Sequence, residues 1–186
     1  MNTIIREARP EDFEAVAALL EELGRPKTLG TPDEQSLRGR FGEWLRDPDR
    51  YVFVAEVDGT VIGVVDMALI PRPNFVQPHA WVPDLIVTDG VRSRGVGAAL
   101  LARAEEVARE RGAFSLGLES AHWRARAHDF YLRQGMADGA RHFIKVFADV
   151  PWPPPSGENH ELSESDASAG SDGSSPPGAS ETESPA

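Results

Sequence analysis

The stretch VRSRGVGAAL, residues 91–100, places two arginines and two glycines between an apolar run and the start of an alanine-rich helical pattern. A helix N-terminus has unpaired N–H groups and a partial positive charge, and glycine lets a ligand approach the backbone closely. Arg92 and Arg94 add positive charge directly before the helix. The stretch therefore predicts a cradle for phosphate, and pyrophosphate is the expected ligand.

Three kinds of phosphate-binding cradle are candidates for this stretch. The P-loop needs GxxxxGK[ST], and it is excluded because no Lys-Ser or Lys-Thr follows Gly95 and Gly97. The dinucleotide-binding motif has a partner acid at about the expected distance, Glu119, but Leu100 stands where its third glycine belongs. The third kind is the acyl-CoA cradle, and these residues alone leave it open beside the dinucleotide type.

Two motifs make the chain resemble the GCN5-related N-acetyltransferase (GNAT) superfamily. R92-S-R-G95-V-G97 matches the family pattern [QR]-x-x-G-x-[GA], and AHDFYLRQGM at 127–136 is similar to the family segment A-x-x-FY-x-x-x-G-[FY]. The resemblance covers about residues 3–148. It implies an α/β (α+β) fold with a single mixed, mostly antiparallel central sheet flanked by about four helices.

The order of predicted elements agrees with that fold. Apolar spacing predicts a helix from Phe13 to Gly24, and TPDE predicts a capping box that starts a second helix at Thr31 and extends it toward Leu45. Asp58-Gly59 predicts a tight hairpin between two strands. The remaining predictions are a strand at AWVPDLIVT, a helix over 94–111, a strand at FSLGLES, a helix over about 123–134 and a last strand at RHFIKVFADV.

The resemblance implies transfer of an acetyl group from acetyl-CoA to a primary amine of a small molecule or peptide, by direct attack in a ternary complex. Tyr131 is the expected general acid, because the matching tyrosine of the family lies near the CoA sulfur. Asp84 is the expected general base, and Glu119 is its rival. Each also has a structural interpretation: core packing for Tyr131, hydrogen bonds to backbone N–H groups for Asp84, and a helix cap for Glu119.

The expected acyl-CoA site combines the cradle with the strand before it. In the family a bulge around Ile86 and Val87 leaves backbone N–H groups for the thioester oxygen and pantetheine. Arg124 stands where many members have asparagine, and it can meet CoA phosphate or face solvent. The full set of expected cofactor-binding residues is Ile86, Val87, Arg92, Ser93, Arg94, Gly95, Val96, Gly97, Ala98 and Arg124.

The acceptor site is less constrained by the sequence. By resemblance it draws on residues 25–31, the loop 71–80 and the last strands. Nearby acidic residues suit a cationic amine, and several aromatic and histidine side chains are candidate contacts with alternative roles in the core. The acids are Asp33, Glu34 and Asp66, and the other candidates are His79, His122, Trp81, Trp123 and Phe75.

The composition of the chain limits which domains, partners and compartment we expect. The 186 residues carry a formal charge of −11, and residues 151–186 hold seven acids and no Lys or Arg. That Pro-, Ser- and Gly-rich segment predicts a disordered tail after a domain of residues 1–150. The charge argues against nucleic-acid and membrane partners. The sequence shows no signal peptide, no cysteine and no metal-ligand spacing such as HExxH. We therefore expect a cytoplasmic protein that binds no metal.

Two alternatives to acetyl transfer remain open. The first is a non-catalytic module that binds CoA or a partner protein, and the second is an acyltransferase that uses another acyl-CoA. A homodimer is compatible with the family resemblance.

Overall fold

The computed structural model describes residues 3–91 and 95–140, and the elements below lie within those ranges. A short 3₁₀ turn, Pro10–Asp12, precedes α1. The strands are β1 (Thr3–Glu7), β2 (Arg50–Val57), β3 (Thr60–Ile70), β4 (His79–Val82), β5 (Leu85–Val87) and β6 (Ser115–Leu118). The helices are α1 (Phe13–Leu23), α2 (Glu34–Trp44), α3 (Val96–Glu110) and α4 (Ala125–Arg133).

The strands form one mixed sheet in the order β1-β2-β3-β4-β6, with β5 also paired to β3. All pairs are antiparallel except β4 with β6, which is parallel. The hairpin between β2 and β3 turns at Asp58 and Gly59, whose φ angles of 50° and 78° suit a tight hairpin turn. The predicted fold class and hairpin are confirmed.

Helices cover both faces of this sheet. On one face α3 buries Leu100 and Ala104 in a core with Phe53 and Met67. On the other face α1 buries Val16 and Leu19 against Val52, Val54 and Val64. Because β2 and β3 are covered on both faces, they read in the sequence as nearly continuous apolar runs rather than as alternating ones.

The predicted strand AWVPDLIVT is divided at Pro83–Asp84. On the β4 side Trp81 is opposite Ala68, whereas on the β5 side Val87 is opposite Gly63, so the register with β3 slips by one residue. Such a slip is a β-bulge, which bends the strand. The parallel pairing of β4 with β6 reaches Val82 and Leu118, and β5 continues beside β3. The sheet therefore opens between β5 and the end of β6.

The predicted start of the second helix is wrong by three residues. Thr31 does not cap a helix, because its hydroxyl donates to the Thr28 carbonyl at 2.7 Å. The Glu34 carboxylate accepts the Gly30 N–H at 2.8 Å, and α2 begins at Glu34. Similarly, α3 begins at Val96 rather than at residue 94. The predicted last strand at 141–150 and the predicted tail at 151–186 lie outside the described residues.

Candidate active site

Asp84 occupies the bulge between β4 and β5, and its side chain is 16% exposed. Its Oδ1 accepts a hydrogen bond from Arg25 Nε at 2.7 Å and lies 2.6 Å from a second guanidinium nitrogen of Arg25. The same guanidinium donates to the Pro83 carbonyl at 3.2 Å. Arg25 follows Gly24, the residue that ends α1 with a φ of 98°. The ion pair therefore joins the end of α1 to the bulge.

Asp66 lies on β3 directly opposite that bulge. Its Oδ1 accepts the backbone N–H of Asp84 at 2.8 Å, and its own N–H donates to the Asp84 carbonyl at 3.1 Å. Burial, reinforced by the charge of Asp84, raises the pKa of Asp66 to about 7, although the hydrogen bonds and Arg25 act in the opposite direction. Asp66 can therefore gain or lose a proton near neutral pH.

A cavity of about 190 Å³ lies between α1, α2 and the sheet, and Asp66 and Asp84 are among the residues that line it. Most of the exposed surface inside it is apolar. The lining residues are Val16, Leu20, Phe41, Trp44, Val52, Val64, Asp66 and Asp84. The arrangement suits a ligand with a cationic end and an apolar body.

Tyr131 lies on α4 and is partly buried. Burial raises the pKa of its hydroxyl, the charge of Asp84 raises it further, and Arg124 opposes the shift. A phenol with a raised pKa stays protonated at neutral pH and can donate its proton to a thiolate. The charge of Asp84 therefore acts on the Tyr131 hydroxyl.

The start of α3 has the geometry of an anion cradle. Gly95 caps the helix with a φ of 82°, and the first intrahelical bond runs from the Ala99 N–H to the Gly95 carbonyl at 3.0 Å. The N–H groups of residues 96–98 precede that bond and point away from the helix. A Cβ on Gly97 would lie 3.6 Å from the Phe130 ring and 3.8 Å from Val87. Arg92, Ser93 and Arg94 lie outside the described residues.

The expected backbone donors on β5 point in opposite directions. Ile86 is opposite Val64, and the Thr88 N–H donates to β3 at 2.9 Å, so the antiparallel alternation turns the Ile86 N–H toward β3. The Val87 N–H points to the other edge, where the sheet opens. The bulge itself lies at Pro83–Asp84, earlier than expected, because the register slip occurs there.

Two other predicted residues, Glu119 and Arg124, lie on different parts of the chain from Asp66 and Asp84. Glu119 follows β6 directly and is exposed. Arg124 precedes α4, and its guanidinium donates to the Leu23 carbonyl at 2.6 Å. Arg124 therefore joins the start of α4 to the end of α1.

The candidate acceptor aromatics divide into separate groups. His79 Nδ1 lies 2.8 Å from Ser115 Oγ, and its ring lies 6.1 Å from that of Trp81 on the same strand. Burial and the charge of Arg72 lower the pKa of His79. Phe75 stacks at 4.5 Å on Phe114, whose ring lies 5.9 Å from that of His79, so these side chains form one cluster. Elsewhere, His122 packs edge-on against Trp123 at 4.8 Å.

Sequence reasoning missed Arg25, Phe41 and Trp44 as individual site residues. Phe41 and Trp44 are three positions apart on α2, a spacing that places them on one face of the helix. That signal was available in the sequence. Arg25 and Asp84 are 59 residues apart, and no local pattern joins them.

The described part of the chain has neither a cluster of metal ligands nor a membrane-spanning helix. Among the described residues, no three His, Cys, Asp or Glu side chains are grouped so that they could hold a metal ion. Within residues 3–91 and 95–140, no helix is both long enough and apolar enough to cross a membrane.

The fold and the site together define a class of protein. A mixed sheet that opens beside a glycine-capped helix is the arrangement expected for the family that the sequence resembles. Residues 7–136 match the sequence model of the Acetyltransferase (GNAT) family. The chain belongs to that family, and its enzyme class is that of the acetyl-CoA-dependent N-acetyltransferases.

Named relatives agree with this assignment. The chain is 34% identical to the aminoalkylphosphonate N-acetyltransferase of Salmonella typhimurium over 146 residues, covering 76% of this chain and 90% of the relative. It is 32% identical to the IAA acetyltransferase of Azospirillum brasilense, covering 73% and 84% of the two chains.

Solved structures share the fold. A putative acetyltransferase from Agrobacterium tumefaciens aligns with a TM-score of 0.70 at 21% identity, covering 77% of this chain and 99% of that one. The aminoglycoside N-acetyltransferase AAC(6')-Iy in complex with CoA aligns with a TM-score of 0.67 at 20% identity, covering 78% and 95%.

Proposed function

We propose that the chain transfers the acetyl group of acetyl-CoA to the primary amine of a small molecule or peptide by direct attack in a ternary complex. One observation carries the proposal: Asp84 lies at the bulge where the strand divides and lines a cavity, and the glycine-capped helix α3 begins after the strand that follows this bulge. A carboxyl group on the acceptor side and a protonated phenol on the donor side are the two groups that acetyl transfer needs.

The donor substrate binds where the sheet opens. In this proposal the N–H groups of Val96, Gly97 and Ala98 hold the pyrophosphate, because the start of α3 favours negative charge. Arg92, Ser93 and Arg94 add cationic and polar contacts, as the sequence motif predicts. The Val87 N–H is directed away from β3, toward the side of β5 where the family resemblance places the thioester.

The reaction requires a neutral amine. An alkylammonium has a pKa near 10, so a carboxylate must accept its proton before the nitrogen attacks the thioester carbonyl. Asp84 faces the amine in this proposal, with Glu119 as the alternative. Asp84 is better supported because it lines the cavity, whereas Glu119 is exposed after β6.

Collapse of the tetrahedral intermediate breaks the C–S bond. Tyr131 donates its proton to the departing sulfur and recovers one from the nitrogen, which carries a surplus proton after the C–N bond forms. The products are the N-acetylated amine, CoA and one proton released to solvent. No covalent intermediate on the protein is needed, in agreement with a chain that has no cysteine.

Release of the CoA thiol measures this activity without background from the protein, again because the chain has no cysteine. The purified protein is incubated with acetyl-CoA and a panel of primary amines, and a thiol-reactive dye reports CoA. Amine-dependent release supports the proposal, and propionyl-CoA and succinyl-CoA compare the donors. Tight binding of acetyl-CoA without release for any amine would instead support a non-catalytic CoA-binding module.

A further inference from the structure

The cavity between α1, α2 and the sheet has an apolar body and an acidic end. Helix α1 contributes Val16 and Leu20, α2 contributes Phe41 and Trp44, and the sheet contributes Val52 and Val64. These residues lie on the sheet face opposite α3. A ligand in the cavity therefore approaches the opening of the sheet from the face that does not carry the cradle.

The acidic end has a defined charge. Asp66 and Asp84 carry two negative charges when both are ionised, and the ion pair with Arg25 compensates one of them. The remaining charge matches a single ammonium group. The other elements around the cavity, α2 and β2, contribute the apolar Phe41, Trp44 and Val52.

The hydrogen bonds give the two acids different roles. Asp84 Oδ1 is held by Arg25, whereas Asp66 uses Oδ1 for one backbone N–H and keeps Oδ2 for another partner. Burial raises the pKa of Asp66 to about 7, which suits a group that accepts a proton in each cycle and releases it to solvent. The charged and titratable groups around this acid are Asp84 from the bulge, Arg25 from the end of α1 and Tyr131 near Asp84.

We infer that this cavity is the acceptor site and takes a primary amine with one compact alkyl or aryl group, and that Asp66 accepts the ammonium proton. The inference rests on the proposed function, narrows its acceptor and moves the role of general base from Asp84 to Asp66. Asp84 orients the ammonium, Asp66 takes one proton from it, and the freed nitrogen pair forms the bond to the thioester carbon. The C–S bond then breaks, and Tyr131 protonates the sulfur.

The apolar walls exclude other amines. A phosphonate group would need an available cation, and two cations near this cavity are engaged: Arg25 pairs with Asp84, and Arg50, which stacks on Trp44 at 4.0 Å, pairs with Asp47. A polyhydroxylated or polycationic amine would place polar groups against side chains that offer no hydrogen bonds, which is costly. Trp44 is the exception in the walls, because its buried Nε1 has no acceptor among the described residues. One hydrogen-bond acceptor on the ligand would satisfy it.

The first test compares three amines: 2-phenylethylamine, 2-aminoethylphosphonate and spermidine. We expect kcat/KM for 2-phenylethylamine to exceed that for either of the others by about tenfold or more, the factor expected from burying a compact apolar group. Leu20→Phe, which fills the cavity, should raise KM for 2-phenylethylamine at least about tenfold. Ala18→Phe is the matched control, because Ala18 is exposed on the same helix.

The second test addresses Asp66. Wild-type kcat/KM should rise through about pH 7 as Asp66 ionises. Asp66→Asn keeps the acceptor for the Asp84 N–H, and it should lose both that rise and about 10²-fold in rate. Asp66→Glu should restore part of the rate. Calorimetry should show the same affinity for acetyl-CoA in wild type and in Asp66→Asn, which separates this loss from unfolding.

The outcomes separate this inference from the proposed function. Equal or better turnover of spermidine or 2-aminoethylphosphonate, with KM unchanged in Leu20→Phe, would overturn the inference and leave the proposed function standing. If acetyl-CoA is not turned over with any amine, the proposed function fails. Ligand-observed NMR with 2-phenylethylamine then tests whether the cavity binds this amine. Binding that is lost in Leu20→Phe and kept in Ala18→Phe would support the assignment of the cavity as the acceptor site. No binding to wild type would overturn that assignment.

Discussion

At the scale of single residues, burial raises the pKa of both Tyr131 and Asp66, with opposite uses for chemistry. The phenol stays protonated at neutral pH, which suits the proton donor that we propose. The carboxyl exchanges its proton near pH 7, which suits the acceptor that we propose. Asp84 contributes to both shifts, because its charge disfavours a second negative charge nearby.

Tyr131→Phe tests the donor. It removes one hydroxyl, so we expect kcat to fall by about 10² to 10⁴-fold, the range for loss of a general acid. The affinity for acetyl-CoA, measured by calorimetry, should stay within about twofold. An unchanged kcat would show that Tyr131 only packs α4 against its neighbours.

The hydrogen bonds of Asp12 predict how the stability of the fold depends on pH. Its carboxylate accepts two hydrogen bonds from Arg6, at 2.7 and 2.9 Å, and one from the Arg9 N–H at 2.7 Å. The hydrogen bonds from Arg6 are the largest cause of its lowered pKa. A carboxyl with a lowered pKa stabilises the fold above its unfolded pKa, and this stabilisation is lost as the pH falls through the folded value.

Asp12→Asn should therefore lower the free energy of unfolding at pH 7 by about 1–3 kcal/mol, the cost of leaving Arg6 with an incomplete partner. The difference from wild type, measured by urea denaturation, should shrink as the pH falls below about 4. Glu14→Gln is the control, because the Glu14 side chain is 70% exposed. A difference for Asp12→Asn that is equal at pH 3 and pH 7 would contradict this explanation.

At the scale of elements, Gly63 sets the distance between β3, β5 and α3. A Cβ there would lie 3.0 Å from the Ile86 carbonyl oxygen, 3.1 Å from Leu100 and 3.2 Å from Val87. The first of these atoms belongs to the backbone and cannot turn away. Close approach at Gly63 therefore fixes β5 beside the opening of the sheet.

Gly63→Ala should destabilise the protein by about 1–3 kcal/mol, as overpacking does. It should also weaken acetyl-CoA binding, because β5 must shift. Gly39→Ala is the matched control: Gly39 lies on α2 with nothing within 4 Å of an added Cβ. We expect that change to be neutral or to stabilise by up to about 1 kcal/mol. Equal unfolding midpoints for the two variants would contradict the assigned role of Gly63.

Local signals predicted some elements, and long-range contacts decided the others. Asp58-Gly59 and the apolar spacing after Phe13 act within a few residues, and both predictions are confirmed. The helix start at Thr31 was wrong, because the Thr31 hydroxyl bonds to the Thr28 carbonyl and the Glu34 carboxylate bonds to the Gly30 N–H, so neither side chain makes the expected capping-box bond. The two-part strand at Pro83 depends on its register with β3, which no local pattern records.

The candidate site also combines residues that the sequence predicted with residues that only long-range contacts bring together. The resemblance gave Tyr131, Asp84 and the cradle as expectations, whereas the pairing of Arg25 with Asp84 arises only when α1 packs on the sheet. Asp66 was expected only as one of several acids suited to a cation. Its position opposite the bulge depends on the slip in register, so its proposed role could not be derived from the sequence.

At the scale of the whole molecule, we propose that residues 1–150 contain the enzyme and that residues 151–186 are dispensable for activity. The proposal rests on composition, because the segment has seven acids, no basic residue and few large apolar side chains. A chain ending at Val150 should keep its unfolding midpoint and keep kcat/KM within about twofold. A tenfold loss of kcat/KM in a folded truncated protein would show that the segment takes part in function.

Calorimetric titration with acetyl-CoA tests most directly the claim that the start of α3 and the opening beside β5 bind the donor. Gly97→Glu places a carboxylate at the cradle, and Gly39→Glu adds the same group to α2, where an added side chain meets open space. We predict micromolar binding to wild type and to Gly39→Glu, and no measurable binding to folded Gly97→Glu. Equal binding to both variants, or no binding to folded wild type, would contradict the account.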